Sequence, residues 1–128
     1  MDNAEFVGND GRLISIHDFR GEDVIISVWA TWCAPCVIEI PYLDKLYTQM
    51  KEQHVNLLPI SVDQSGIILV REFYEENGID HLPLFNDSGI DLLESLEIGP
   101  IPTLIAINAK GVEVGRSVGL LPIVNNEL

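Results

Sequence analysis

Positive charge is scarce in this sequence: seven Lys and Arg stand against 20 Asp and Glu in 128 residues, a formal net charge of −13. Such a field repels phosphate backbones and anionic headgroups, which argues against nucleic-acid binding and against docking on acidic lipid. Long apolar runs are missing as well. The longest, such as Val24 to Ala30, are strand-sized, whereas a bilayer-crossing helix needs about 18 or more apolar residues. Met1-Asp2-Asn3-Ala4-Glu5 has no positive region followed by an apolar core, so no secretory leader is read there. A cytosolic protein and an exported domain without its leader would look alike, and the residues leave location open. Histidine is limited to His17, His54 and His81, scattered without the paired spacing of a metal site. Repeats and low-complexity stretches are absent, and cysteine occurs only twice.

What is present is globular: 47% hydrophobic and 21% charged residues, a length that suits one domain over residues 1–128. Phe6 to Ile16, with Asn9-Asp10-Gly11 at its centre, reads as a hairpin. Val24 to Ala30 is a β-branched run with little alternation, the pattern of a strand covered on both faces. From Cys33 onward, Val37, Ile40, Leu43, Leu46, Tyr47 and Met50 recur at helical spacing, with Pro41 expected to kink the helix between residues 37 and 41. Val55 to Val62 predicts a second buried strand and Ile67 to Asn77 a second helix closed by Gly78. Leu82-Pro83-Leu84-Phe85 reads as a short edge or inserted strand, and Ile90 to Leu96 as a short helix. Thr103 to Asn108 and Val112 to Ser117 form a closing hairpin, and Leu121 to Leu128 would begin a short terminal helix. Alternating strands and helices followed by an antiparallel hairpin predict a mixed sheet with helices on its faces, an α/β domain.

The two cysteines sit at a strand-to-helix junction, Trp32-Cys33-Ala34-Pro35-Cys36. A helix N-terminus gathers unpaired N–H groups and the positive end of the macrodipole, which favours a thiolate at Cys33. The spacing brings Cys36 around one turn, where it can resolve a mixed disulfide formed on Cys33. Pro35 falls in the first turn, where its missing N–H costs little and its fixed φ preorganises the pair. Three other readings compete. Zinc would need more ligands than the scattered histidines offer, a structural disulfide across so short a loop restrains the unfolded chain little, and two inert buried thiols would not need this placement.

The run Val28-Trp29-Ala30-Thr31-Trp32-Cys33-Ala34-Pro35-Cys36, followed by Glu39-Ile40-Pro41, resembles the thioredoxin superfamily, and within it the TlpA/ResA/CcmG-like branch. The lead-in Asp10-Gly11 through Asp18-Phe19-Arg20-Gly21 is similar too, and residues 67 to 90 match that branch's extra helix and strand. The resemblance covers roughly residues 5 to 120 and implies the thioredoxin fold. It also implies a cis peptide at Pro102 in Gly99-Pro100-Ile101-Pro102-Thr103, which on its own would read as an ordinary trans proline opening a strand. Ile101 would then offer its backbone to a substrate chain, and Gly119 in Val118-Gly119-Leu120 would line the substrate groove rather than merely turn the chain. Glu39, one turn beyond Cys36, reads either as a carboxylate favoured by the helix dipole or, as the branch implies, as the group that exchanges a proton with Cys36. Thioredoxins proper place a buried Asp where this chain has Ser27, so the acid-base duty shifts toward Glu39 or toward water. Trp29 is expected in the core and Trp32 on the active-site rim.

The catalytic set is therefore Cys33, Cys36 and Glu39, and the substrate-binding set Trp32, Ala34, Pro35, Ile101, Pro102 and Gly119, with no metal and no cofactor. The resemblance implies a monomeric, periplasmic or otherwise extracytoplasmic protein-disulfide reductase. Its clients would be disulfide-containing proteins such as apocytochrome c or copper-site cysteines, recharged by an upstream thiol reductant or a membrane electron donor. Two alternatives stay open: a general cytosolic thioredoxin, against which Ser27 and the insert speak, and a copper-binding chaperone using His81.

Overall fold

The structure, a computed structural model, describes residues 4–120; the expected terminal helix Leu121 to Leu128 lies outside the described residues. Strands β1 (Glu5–Gly8) and β2 (Leu13–Ser15) form the predicted hairpin, with Gly11 at φ +79° in the turn. Ile16 leaves it for a short 3-10 turn over Ile16–Phe19, which the sequence reading missed; Ser15 and Asp18 cap it reciprocally. Then follow β3 (Asp23–Trp29), α1 (Ala34–Glu52), β4 (Val55–Ser61), α2 (Ile67–Asn77), β5 (Phe85–Asn86), α3 (Asp91–Ser95), β6 (Thr103–Ile107) and β7 (Glu113–Val118).

The seven strands make one mixed sheet in the order β2-β1-β5-β4-β3-β6-β7. β3 runs parallel to β4 from Asp23↔Val55 to Trp29↔Ser61 and antiparallel to β6, so it lies inside the sheet as its continuous apolar run predicts. β5 is not an edge: it pairs with both β4 and β1. The ladder starts at Phe85, two residues after Pro83, so the proline removes no ladder donor. The parallel steps from β3 to β4 and from β4 to β5 go the same way across the sheet, so crossovers of the usual right hand set α1 and α2 side by side on one face. Asp44 of α1 confirms the adjacency, accepting from the backbone N–H groups of Asp80, His81 and Leu82 just beyond α2. Mixed sheet, helix-covered faces and inserted α2–β5 together constitute the thioredoxin fold. The core gathers Phe6, Ile26, Val28, Ile60, Leu92 and Ile105, all buried, with Trp29 packed on Phe73 and Tyr74 of α2.

α1 runs as one helix through Pro41. Its start positions the site: Cys33 is the N-cap, extended at φ −98° and ψ 111°.

Candidate active site

Cys33 and Cys36 are joined as a disulfide, with Cα atoms 5.2 Å apart. Cys33 Sγ accepts from the Cys36 backbone N–H at 3.4 Å. The sulfur thus takes the place that a Ser or Asp oxygen takes at other helix starts, and a thiolate there would gain both the N–H and the helix dipole. Cys36 is fully buried, while Cys33 is 7% exposed and Trp32 beside it 71% exposed. Ala34 and Pro35 in the first helical turn are exposed as well. Trp32, Ala34 and Pro35 thus open to solvent around Cys33, with Cys36 behind them.

The Ile101–Pro102 peptide is cis, as the resemblance to the thioredoxin superfamily implies. The Ile101 carbonyl oxygen lies 3.7 Å from Cys33 Sγ. The loop is held at both ends: Thr103 Oγ1 donates to the Pro100 carbonyl at 2.7 Å, and the Gly119 N–H donates to the Pro102 carbonyl at 2.8 Å. Gly119 has φ +90°, a conformation L side chains rarely adopt. Five residues chosen from sequence, Cys33, Cys36, Ile101, Pro102 and Gly119, are thus joined through one chain of contacts. Glu39 sits one turn past Cys36 and is 1% exposed, a carboxyl inside the protein under the dithiol helix. Ser27 lies in the middle of β3, 1% exposed, its hydroxyl without a hydrogen-bond partner among the described residues.

His81 is not part of this group. It is exposed, and its backbone N–H bonds Asp44, eight residues beyond Cys36 on α1, a separation of about 12 Å along a helix axis. Among the described residues no group of three or more His, Cys, Asp or Glu is placed to hold a metal ion.

Sequence reasoning missed a buried polar network behind the motif. Asp63, 1% exposed, accepts from the Thr31 N–H at 3.0 and 3.2 Å, from the Thr31 hydroxyl at 2.6 Å, and from the Ser61 hydroxyl. Asn86 of β5 donates to the Ser61 and Asp63 carbonyls. These contacts tie the residue two before Cys33 to the end of β4 and to the insert. One signal was available: Ser61-Val62-Asp63 places polar residues at the carboxyl end of an apolar parallel strand, where α/β sheets gather functional groups.

Comparison with known proteins follows the same lines. Thiol-disulfide oxidoreductase ResA of Bacillus subtilis (strain 168) is 33% identical over 112 residues, which is 86% of this chain and 62% of that protein. The chain thus spans less than two thirds of the length of that relative. The crystal structure of StoA from Bacillus subtilis superposes with a TM-score of 0.78 at 27% identity, covering 94% of this chain and 91% of StoA. The exposed lipoprotein thioredoxin Etrx1 of Streptococcus pneumoniae strain TIGR4 shares the fold, with a TM-score of 0.79, 23% identity and coverage of 97% and 98%. The Redoxin family profile matches residues 1–125. With that match running over nearly the whole sequence, the chain belongs to the Redoxin family.

Proposed function

We propose that the chain is a thiol-disulfide oxidoreductase that reduces disulfides of protein clients. The observation carrying this reading is Cys33 at the cap of α1, its sulfur accepting the Cys36 N–H and facing the Ile101 carbonyl beside cis-Pro102. In the reduced protein the Cys33 thiolate attacks one sulfur of a client disulfide. The client's other sulfur leaves as a thiolate and takes a proton. Cys36 then gives its proton to Glu39 and attacks Cys33 Sγ, releasing the client's second thiolate and leaving the Cys33–Cys36 disulfide. Two electrons have moved from the dithiol to the client. Ile101 and Pro102, with Trp32, Ala34, Pro35 and Gly119, align the client's extended backbone during attack.

An upstream thiol reductant, or a membrane electron donor acting through one, restores the dithiol. The description of Etrx1 as an exposed lipoprotein supports an extracytoplasmic site of action, and the resemblance to the TlpA/ResA/CcmG-like branch adds apocytochrome c or copper-site cysteines as client classes. No described helix is long and apolar enough to cross a membrane. The deciding measurement is the equilibrium reduction potential of the Cys33/Cys36 pair. A value well below about −200 mV is expected of a reductase, and one near −120 mV, the range of a dedicated disulfide donor, would overturn the direction proposed here.

A further inference from the structure

Beside the dithiol lies a cleft of about 500 Å³ lined by Trp32, Val62, Asp63, Gln64, Leu93 and Ile101. Trp32 immediately precedes Cys33, and the Ile101 carbonyl lies 3.7 Å from Cys33 Sγ. A client chain held for attack at Cys33 therefore has this cleft within reach of a neighbouring side chain. Leu93 belongs to α3 and Gln64 to the connection between β4 and α2. Asp87 fixes α3 in place by accepting from the N–H groups of Gly89 and Leu92.

The cleft combines two properties. Its walls are apolar where Trp32, Val62, Leu93 and Ile101 line it. The charged residues in its lining and beside Leu93 are all acidic. Asp63 lies in the lining with its carboxylate held by Thr31 and Ser61, and exposed Asp91 and Glu94 flank Leu93 on α3. None of the seven basic residues lines it. Arg12 sits at the β1–β2 turn, Arg71 lies on α2 with its guanidinium turned away to Asn9 of that turn, Arg20 follows the 3-10 turn, Lys110 belongs to the closing hairpin, and Arg116 of β7 is held by Glu113 and by the Leu96 and Glu97 carbonyls beyond α3. Lys45 and Lys51 lie at least nine residues past Cys36 on α1, about 13 Å or more along its axis. With a net charge of −13 on the whole chain, no cation in the lining offsets the negative potential of the cleft.

A side chain that suits both properties has an aliphatic stem and a cationic head. The stem packs on Trp32 and Leu93 while the head faces the carboxylates, and a cation over the indole adds further attraction. We infer that this cleft receives a lysine or arginine next to the client's cystine, so that the protein selects basic client segments. The inference rests on the oxidoreductase reading and adds a substrate class to it.

The test uses the reduced protein and three cystine peptides that differ only in the residue flanking the cystine: Lys, Glu or Leu. At about 20 mM NaCl, kcat/KM for the Lys peptide is expected to exceed that for the Glu peptide by about tenfold, falling to about twofold near 500 mM NaCl. Leu93→Lys and, separately, Gln64→Lys should each lower the Lys-to-Glu ratio several-fold. A ratio taken within one variant cancels any loss of folded protein. Equal rates for Lys and Glu peptides, a Leu peptide preferred over Lys, or ratios unmoved in both variants would overturn the inference. The neutral small disulfide 2-hydroxyethyl disulfide separates the two levels. If it is turned over while the peptides are not discriminated, only the client selectivity fails; if neither it nor any peptide is reduced, the oxidoreductase reading fails with it.

Discussion

The two sulfurs differ in access, Cys36 fully buried and Cys33 7% exposed beside an exposed Trp32, and in the proposed mechanism that difference makes Cys33 the attacking sulfur. Cys36→Ser is expected to leave attack intact and to accumulate a mixed disulfide with a client, visible by mass spectrometry and on non-reducing gels; Cys33→Ser should form none. Were Cys36 to capture the client in the Cys33→Ser protein, the order of attack would be reversed. Glu39→Gln keeps shape but cannot take the Cys36 proton. Resolution of the mixed disulfide is expected to slow about 10²-fold, with an altered pH profile. An unchanged profile would return Glu39 to a favourable charge near a helix start. Asp63→Ala removes the acceptor for the Thr31 N–H and hydroxyl and for the Ser61 hydroxyl. Its expected cost is about 3 kcal/mol in urea unfolding, since buried donors are left without partners.

At the scale of elements, the insert is fastened to the dithiol helix by Asp44 and to β3 by Tyr74. Tyr74 of α2 stacks on Trp29 of β3 and donates its hydroxyl to the Pro83 carbonyl at 2.8 Å. Burial, and after it the Asp44 carboxylate, holds the Tyr74 phenol far above its ordinary value. A phenol raised in the folded state contributes stability that is complete below the unfolded value of about 10 and is lost as pH climbs above it, by up to about 1.4 kcal/mol per pH unit. Urea midpoints measured from pH 8 to 11 should therefore fall more steeply for the wild type than for Tyr74→Phe. Parallel curves would mean that Tyr74 opens to water before the protein unfolds.

These same elements mark how far the sequence could be read. The β3–α1–β4 unit, the closing hairpin and the dithiol were legible because they rest on local signals: a β-branched run, helical spacing, and Cys-Ala-Pro-Cys at a strand-to-helix junction. Pro102 and Gly119 were legible through the family's motif, since a backbone conformation leaves a residue-type signature. Asp44 was not, and Asp63 offered only its place at the carboxyl end of β4, with nothing to name its partners. Their partners lie 36 to 38 and 32 residues away in the chain, and an acid that accepts distant backbone N–H groups looks in sequence like any surface acid. The 3-10 turn after β2 escaped because Ile16 continues the apolar pattern of the hairpin even though the backbone has already turned. The position of β5 escaped because a two-residue ladder carries no periodicity.

For the molecule as a whole, the excess of 13 negative charges sets how the fold responds to its solvent. The described residues show two ion pairs, Arg12–Asp10 at 3.7 Å and Arg116–Glu113 at 2.8 Å, both on the surface, where such pairs contribute little. Attraction between unlike charges is thus sparse, and repulsion among the remaining carboxylates is the larger electrostatic effect. Salt weakens both, so adding it should stabilise this protein. Between about 10 and 150 mM NaCl the screening length falls from about 30 to about 8 Å, short enough to separate most surface carboxylates from one another. A gain of about 1 kcal/mol over that range would raise Tm by about 4 °C for a domain of this size. The shape of the curve identifies the cause. Screening predicts that most of the rise is complete by about 150 mM, whereas an effect of salt on apolar hydration would keep growing toward 1 M. A Tm that falls with the first additions of salt would mean that the few cations, Arg71 and Arg116 among them, hold the fold together more strongly than the acidic surface pushes it apart.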